Sequence, residues 1–248
     1  MDSEGIRRLS AEWYLQPVSA VLFTLALALA GQSPAEQKRS WRPVLESAGV
    51  TDAKVLQVMD KVRRADFLPP EQKAREFQDR PLPIGHEQTT SQPSLIALMI
   101  HAMRLRPGCR VLEVGTGSGY QTALLAELCR EVYSIEIIAP LAERSSSVLA
   151  ELGYRNAHVK AGDGYLGWPE RAPFDGIVVG AGAPRVPQPL VDQLAPGAKL
   201  VIPVGSGRDM HLLIVTKKPD GSTTTERSFP VAFVPLTGEN AERDRGRR

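Results

Sequence analysis

Val111-Leu112-Glu113-Val114-Gly115-Thr116-Gly117-Ser118-Gly119-Tyr120 is the stretch that decides the fold of this chain. A β-branched run leads into three alternate glycines, and Gln121 to Leu128 then has the makeup of a helix. Without Cβ atoms, glycines take positive φ and let the backbone pass close to a ligand, while the free amides of the following helix point back at the turn. That geometry suits a nucleoside-bearing ligand. Glycine turns also occur where a helix and a strand merely pack tightly, so neighbouring strands must arbitrate. A dinucleotide fingerprint requires glycine where this chain has Tyr120, which ranks a nicotinamide oxidoreductase last.

The next strand supplies the context. Glu131-Val132-Tyr133-Ser134-Ile135-Glu136 ends in an acid 21 residues beyond Gly115, a spacing at which a carboxylate accepts ribose hydroxyls in Rossmann-like sites. Strands are expected at 110–114, 132–136, 158–161, 174–179 and 199–203, with helices at 121–128, 141–152 and 189–194. Residues 211–217 and 229–235, flanking the turn Lys218-Pro219-Asp220-Gly221, are expected to close the sheet as an antiparallel pair. The fold is therefore expected to be α/β and Rossmann-like: a mostly parallel, doubly wound sheet with a terminal antiparallel strand pair. Ligands bind such sheets at the carboxyl ends of the strands, so Gly115, Glu136, Gly162-Asp163-Gly164 and Gly180-Ala181-Gly182 should share one rim. There Asp163 would accept a hydrogen bond from an adenine amino group, the plainer alternative being an ordinary Asp-Gly turn.

Ahead of the sheet, residues from about 41 to 103 read as a helical preface. Thr51-Asp52 caps a helix with Val55, Val58, Met59 and Val62 at helical spacing, and Phe67-Leu68-Pro69-Pro70 closes it. The proline-studded stretch 80–93 has no period and reads as an ordered loop, with Pro93 at the first position of an apolar helix running to Met103. Thr89, Thr90 and Ser91 then sit at the positive end of that helix, where an anionic group is favoured. Ser91 has an equally simple alternative role as the helix cap.

Glu113 and the three glycines form E-x-G-x-G-x-G, which resembles motif I of S-adenosylmethionine-dependent methyltransferases. Together with Leu82-Pro83-Ile84-Gly85-His86-Glu87-Gln88-Thr89-Thr90-Ser91-Gln92-Pro93, Gly162-Asp163-Gly164, Ala172-Pro173-Phe174-Asp175 and Phe233-Val234-Pro235-Leu236, it makes residues from about Thr51 to Leu236 closely resemble the protein-L-isoaspartate O-methyltransferases. The resemblance implies a class I methyltransferase fold and S-adenosyl-L-methionine as cofactor. It implies as substrate the carboxylate exposed by an L-isoaspartyl or D-aspartyl residue in a damaged protein or peptide, whose methylation starts repair. By the same resemblance Ser91 is the active-site serine, and Ile84, Gly85, Gln88, Thr89 and Thr90 belong to the substrate loop. Glu113 would face the methionine end of the cofactor, and Gly115, Thr116, Gly117, Ser118 and Gly119 would form its cradle. Glu136, Asp163 and Gly164 would line the adenosine end, and Thr237 would close the site. A carboxylate is already ionised at neutral pH and a sulfonium methyl is already activated, so the transfer needs alignment rather than a general base. The chain departs from the family in two places: Glu87 stands where glycine is common in bacterial members, and a leader precedes the usual cytosolic pattern. A small-molecule methyltransferase of the same fold and a catalytically silent binding module are the alternative readings.

In 248 residues, 42% hydrophobic and 23% charged, one methyltransferase domain over 33–240 is expected. A formal net charge of +2 gives no broad attraction to nucleic acid, and the four histidines are too scattered for a metal site. Arg7-Arg8, the apolar run Val18 to Ala30 and Ala28-Leu29-Ala30 resemble a signal peptide spanning 1–32, with cleavage near Ala30; membrane contact is expected only if the leader is retained. The family pattern and cofactor supply favour the cytoplasm, the leader favours export, and a monomer is expected. The basic residues 241–248 read as a disordered tail. Cys109 and Cys129, each just before a strand, are expected to be separate buried thiols, with a disulfide as the alternative in an exported protein.

Overall fold

The computed structural model describes residues 40–207 and 209–246; the leader reading lies outside them. Helix α1 (Arg42–Ser47) and helix α2 (Ala53–Lys61) come first. The Asp52 carboxylate accepts from the backbone N–H groups of Lys54 and Val55, the cap that Thr51-Asp52 predicts. A small hairpin, β1 (Leu82–Gly85) and β2 (Gln88–Thr90), precedes helix α3 (Pro93–Met103). The sheet domain then runs β3 (Arg110–Val114), α4 (Tyr120–Leu128), β4 (Glu131–Glu136), α5 (Ala139–Glu151), β5 (Ala157–Ala161), β6 (Phe174–Val179), α6 (Gln188–Asp192), β7 (Leu194–Ser206), β8 (Asp209–Lys217) and β9 (Thr223–Pro230). Helix α7 (Glu239–Gly246) follows.

The seven-stranded sheet has the order β5-β4-β3-β6-β7-β8-β9. Strands β3 to β7 pair in parallel, and β8 and β9 add antiparallel pairings at one edge. Period-two alternation splits the apolar residues between two cores. Val111, Val132, Val178 and Val201 face a cluster built with α2, α3 and α4, while Leu112, Tyr133, Ile177 and Leu200 face a second cluster on the other side. A strand covered on both faces has no polar side, which is why Ile177-Val178-Val179 is apolar throughout. After β5 the chain crosses back past β3 to place β6 on its other side. That reversal opens a crevice between the carboxyl ends of β3 and β4 on one side and β6 on the other, where ligands of such sheets bind.

Four local expectations differ from the structure. The second strand of the terminal pair is Thr223–Pro230, not 229–235; its residues are largely exposed, so no hydrophobic alternation marks it. The apolar segment after Pro230 leaves the sheet instead as a strap, held where Gly182 N–H donates to Val234 O and Leu236 N–H donates to Gly182 O, both at 2.8 Å. The loop 80–93 contains a hairpin, which Pro81 and Pro83 conceal in the sequence. Much of the expected disordered tail is α7, because Ala241 is fully buried and Arg185 pairs with Asp244 at 3.0 Å. Finally, Cys109 and Cys129 are joined as a disulfide rather than separate thiols. The parallel register that sets Arg110 beside Glu131 brings the Cα atoms of Cys109 and Cys129 to 4.7 Å, inside the bridging range.

Candidate active site

At the end of β3 the glycine turn takes the positive φ its sequence requires, with Gly115 at 92°, Gly117 at 54° and Gly119 at 86°. A Cβ on Gly115 would meet the backbone of Gly180 across the crevice at 3.7 Å, where Gly180 N–H already donates to Val114 O at 2.8 Å. The turn is braced from beneath by the neighbouring strand. Gly117 N–H donates to Glu136 Oε2 at 2.8 Å, and Ile138 N–H donates to Glu136 Oε1 at 3.0 Å. Carboxylate oxygens hold more than one acceptor position, so Glu136 keeps capacity for a ligand hydroxyl.

These residues enclose a cavity of about 300 Å³, at the lower end of the size range of small-molecule sites. Its floor is Gly115, Gly117 and Glu136; Gly164 and Gly180 form the far strand ends. Gln88, Thr89 and Glu87 line it from the β1–β2 hairpin, and Thr237 lines it from the end of the strap. A second, wider cavity of about 680 Å³ adjoins it, lined by Ser91, Ser94, Leu95 and Leu98 on one side and by Phe229 to Val234 on the other. Thr89, Gly180 and Val234 line both cavities, so the two meet there.

The remaining expected residues line neither cavity. Ile84 is buried, and its Cδ1 would touch a Cβ on Gly117 at 3.3 Å, so the hairpin packs directly on the glycine turn. Gly85 sits at the hairpin tip with φ 93°, and Thr90 is buried at its base. Thr116 and Ser118 are buried within the turn, where the Ser118 hydroxyl accepts from Tyr120 N–H. Gly119 is the N-cap of α4.

Two expected cofactor residues are engaged by other groups of the protein. Glu113 is 0% exposed beneath the turn and does not line the cavity. Its Oε2 accepts from Thr122 Oγ1 at 2.5 Å and Ser134 Oγ at 2.6 Å, and the Thr116 hydroxyl lies 2.6 Å from that of Ser134. Burial raises its pKa from 4.5 to about 7, outweighing the two hydrogen bonds that favour the charged form. Asp163 points at the C-terminal segment: Oδ1 accepts from Tyr165 N–H, while Oδ2 accepts from Asn240 N–H at 3.2 Å and Asn240 Nδ2 at 2.9 Å.

A family model described as Protein-L-isoaspartate(D-aspartate) O-methyltransferase matches residues 40–241. The chain belongs to this family. It is 51% identical over 199 residues to the protein-L-isoaspartate O-methyltransferase of Gloeobacter violaceus, covering 80% of this chain and 97% of that protein. It is 52% identical over 189 residues to protein-L-isoaspartate O-methyltransferase 2 of a Polaromonas species, covering 76% and 90%. Among solved structures, one protein-L-isoaspartate O-methyltransferase matches with a TM-score of 0.73 at 30% identity, covering 82% of this chain and 68% of that one. A putative protein-L-isoaspartate O-methyltransferase from Plasmodium falciparum, in complex with S-adenosyl-L-homocysteine, matches with a TM-score of 0.69 at 29% identity, covering 79% and 95%.

Other residues that build the site carry no signal in the sequence. Arg64 and Asp79 carry no motif, yet they hold the loop that bears Ser91. Ser91 does not cap α3: the N-cap is Gln92, without a side-chain bond, and Asp79 Oδ1 accepts from Ser94 N–H at 2.9 Å. Ile137 and Ile138 line the first cavity as an apolar continuation of β4, a feature visible in sequence only as two more hydrophobic residues.

Proposed function

We propose that this chain transfers a methyl group from S-adenosyl-L-methionine to the free carboxylate of L-isoaspartyl and D-aspartyl residues in damaged proteins or peptides, initiating repair. The observation that carries the reading is the junction of two cavities at Thr89, Gly180 and Val234, with the glycine turn on one side and Ser91 on the other. The residues present fit the cofactor. The positive-φ glycines leave room for close approach, Glu136 offers acceptor positions, and a side chain at Gly164 would collide with Val114 and crowd the same wall.

When bound, the cofactor supplies an electrophilic sulfonium methyl. The chain's own residues then orient the acceptor. The Ser91 hydroxyl donates to one carboxylate oxygen, leaving the other free to attack, and the start of the eleven-residue helix α3 adds favourable potential for the anion. Thr89 and Val234 line the junction of the two cavities, where the reacting end would sit. No proton has to be removed from an ionised carboxylate, so no base is assigned. Purified protein is expected to transfer radiolabelled methyl to an isoaspartyl peptide and not to the same peptide carrying ordinary aspartate; equal labelling of both, or of neither while the cofactor binds, would sink the reading.

For compartment, two observations oppose each other. Cofactor supply supports action in the cytosol, while the Cys109–Cys129 disulfide supports maturation in an oxidising compartment, together with the signal-like leader. Among the described residues no helix is long and apolar enough to cross a membrane. Fractionation with N-terminal sequencing decides the matter: a mature end near Gly31 outside the cytosol supports export, and an intact chain with free thiols in the cytosol supports the other. The monomer reading is tested by the mass of the purified enzyme in light scattering.

A further inference from the structure

Arg64 is the largest fully buried side chain among the described residues, 1% exposed, and no anion neutralises it through an ion pair. Its two amino groups donate to backbone carbonyls, while Nε has no hydrogen-bond partner. Nη1 donates to Gln78 O at 2.9 Å and, more weakly, to Glu76 O at 3.5 Å. Nη2 donates to Arg80 O and Ser91 O, each at 3.0 Å. Arg80 lies just before β1 and Ser91 just after β2, so a single amino group ties the two legs of the hairpin together at its base.

The same segment holds the start of α3. Asp79 Oδ2 accepts from Ser94 Oγ at 2.8 Å and Gln92 Nε2 at 2.9 Å, which with the Ser94 N–H fixes the helix end next to Ser91. Burial lowers the Arg64 pKa to about 10, with Tyr120 and Asp79 opposing the shift, so the guanidinium stays charged at neutral pH. Burying a charge is costly unless its donors are satisfied, and a protein that needed only to fill this space would use an apolar side chain. A planar fork that joins carbonyls of the stretch 76–80 to that of Ser91 does what neither an apolar residue nor a lysine does.

We propose that Arg64 is a positioning residue, whose guanidinium fixes the base of the β1–β2 hairpin and thereby sets where Ser91 presents its hydroxyl to the acceptor carboxylate. The inference rests on Ser91 being the acceptor-side hydroxyl. Wild type and S91A are therefore compared first with an isoaspartyl peptide; unchanged turnover in S91A would overturn that reading by itself, before Arg64 is considered.

R64K keeps the charge and the aliphatic stem but loses the fork. It is expected to lower kcat/KM for the peptide by about 10- to 100-fold, the range for loss of one or two charge-assisted hydrogen bonds. Affinity for S-adenosyl-L-homocysteine, measured by calorimetry on the folded protein, should fall by much less, under about fivefold, because the hairpin only covers the first cavity while Gly115, Gly117 and Glu136 form its floor. In R64A, millimolar guanidinium should restore part of the turnover while ammonium does not. Wild-type kinetics in R64K would overturn the proposal, as would a parallel loss of cofactor binding and turnover. Where R64A does not fold, R64K alone decides it by the same split between peptide kinetics and cofactor affinity.

Discussion

The two halves of the site are held together in opposite ways. The glycine turn after β3 is shaped by close packing: small residues against backbone and Val114, with apolar strands behind them. The hairpin 82–90 and helix α7 are tied down by buried or half-buried polar groups, Arg64 and Asp79 for the first and Asp163 and Arg185 for the second. Packing leaves little freedom and tolerates no added volume. Polar ties can be cut one at a time, which makes the hairpin and α7 adjustable while the glycine turn is fixed.

The largest effect should therefore come from the packed half. Gly164→Val would drive side-chain atoms into Val114 at the end of β3, and overpacking of a strand end is expected to cost about 3 kcal/mol or more. Urea denaturation would show it as a lowered midpoint with unchanged slope. A cost below about 1 kcal/mol would mean that this wall yields, and the contrast between the halves would lose its main support.

Glu113 is the exception that tests the contrast from inside the packed half, since it is a polar group under the turn. Its raised pKa means that between about pH 4.5 and about 7 the folded protein keeps a proton that the unfolded chain has released. Stability from this group is thus fully present below pH 4.5, falls as pH rises across that window, and is lost above it. Glu113→Gln removes the titration. The variant's stability relative to wild type should rise by about 3 kcal/mol from pH 4 to pH 8, read by denaturation at both pH values. A difference that does not change with pH would show that Glu113 titrates in the folded protein as it does in the unfolded chain.

On the polar side, Asn240→Ala removes the Nδ2 bond to Asp163 and leaves the backbone bond in place. A loss of about 1 kcal/mol is expected, with faster amide exchange confined to α7 and its junction with the strap. Exchange that spreads into β3 or β4 would mean that α7 is part of the packed half after all.

The same division governs what could be read without a structure. The sheet, the glycine turn and the acid at Glu136 were legible because packing and close backbone approach restrict residue type locally: valines and isoleucines in β6, glycines where φ is positive. Arg64 and Asp79 were not, because a lone arginine and a lone aspartate look solvated until distant segments fold onto them. The polar strand Thr223–Pro230 was missed for a related reason: an exposed edge strand has no buried face to imprint alternation. The place of Asp163 after β5 puts it at the rim, and that position does not reveal that Asn240 also reaches it. The pairing of Cys109 with Cys129 likewise depends on strand register, which no local pattern states.

The smallest effect belongs to the hairpin tip. Gly85 pairs with Gln88, so His86 and Glu87 form a two-residue loop, and both have positive φ, 51° and 58°. Tight hairpin turns of this kind favour Asn-Gly, because a side chain in the left-handed region costs about 1–2 kcal/mol. Glu87 pays this strain while lying over the first cavity. Glu87→Gly should relieve it, offset in part by the greater entropy of an unfolded glycine, for a net gain of about 0.5 kcal/mol. In a chain of this size that corresponds to a melting temperature about 1–2 °C higher, measurable by calorimetry. A lower melting temperature would mean that the Glu87 side chain anchors the tip, placing even this exposed turn among the ties that hold the acceptor side.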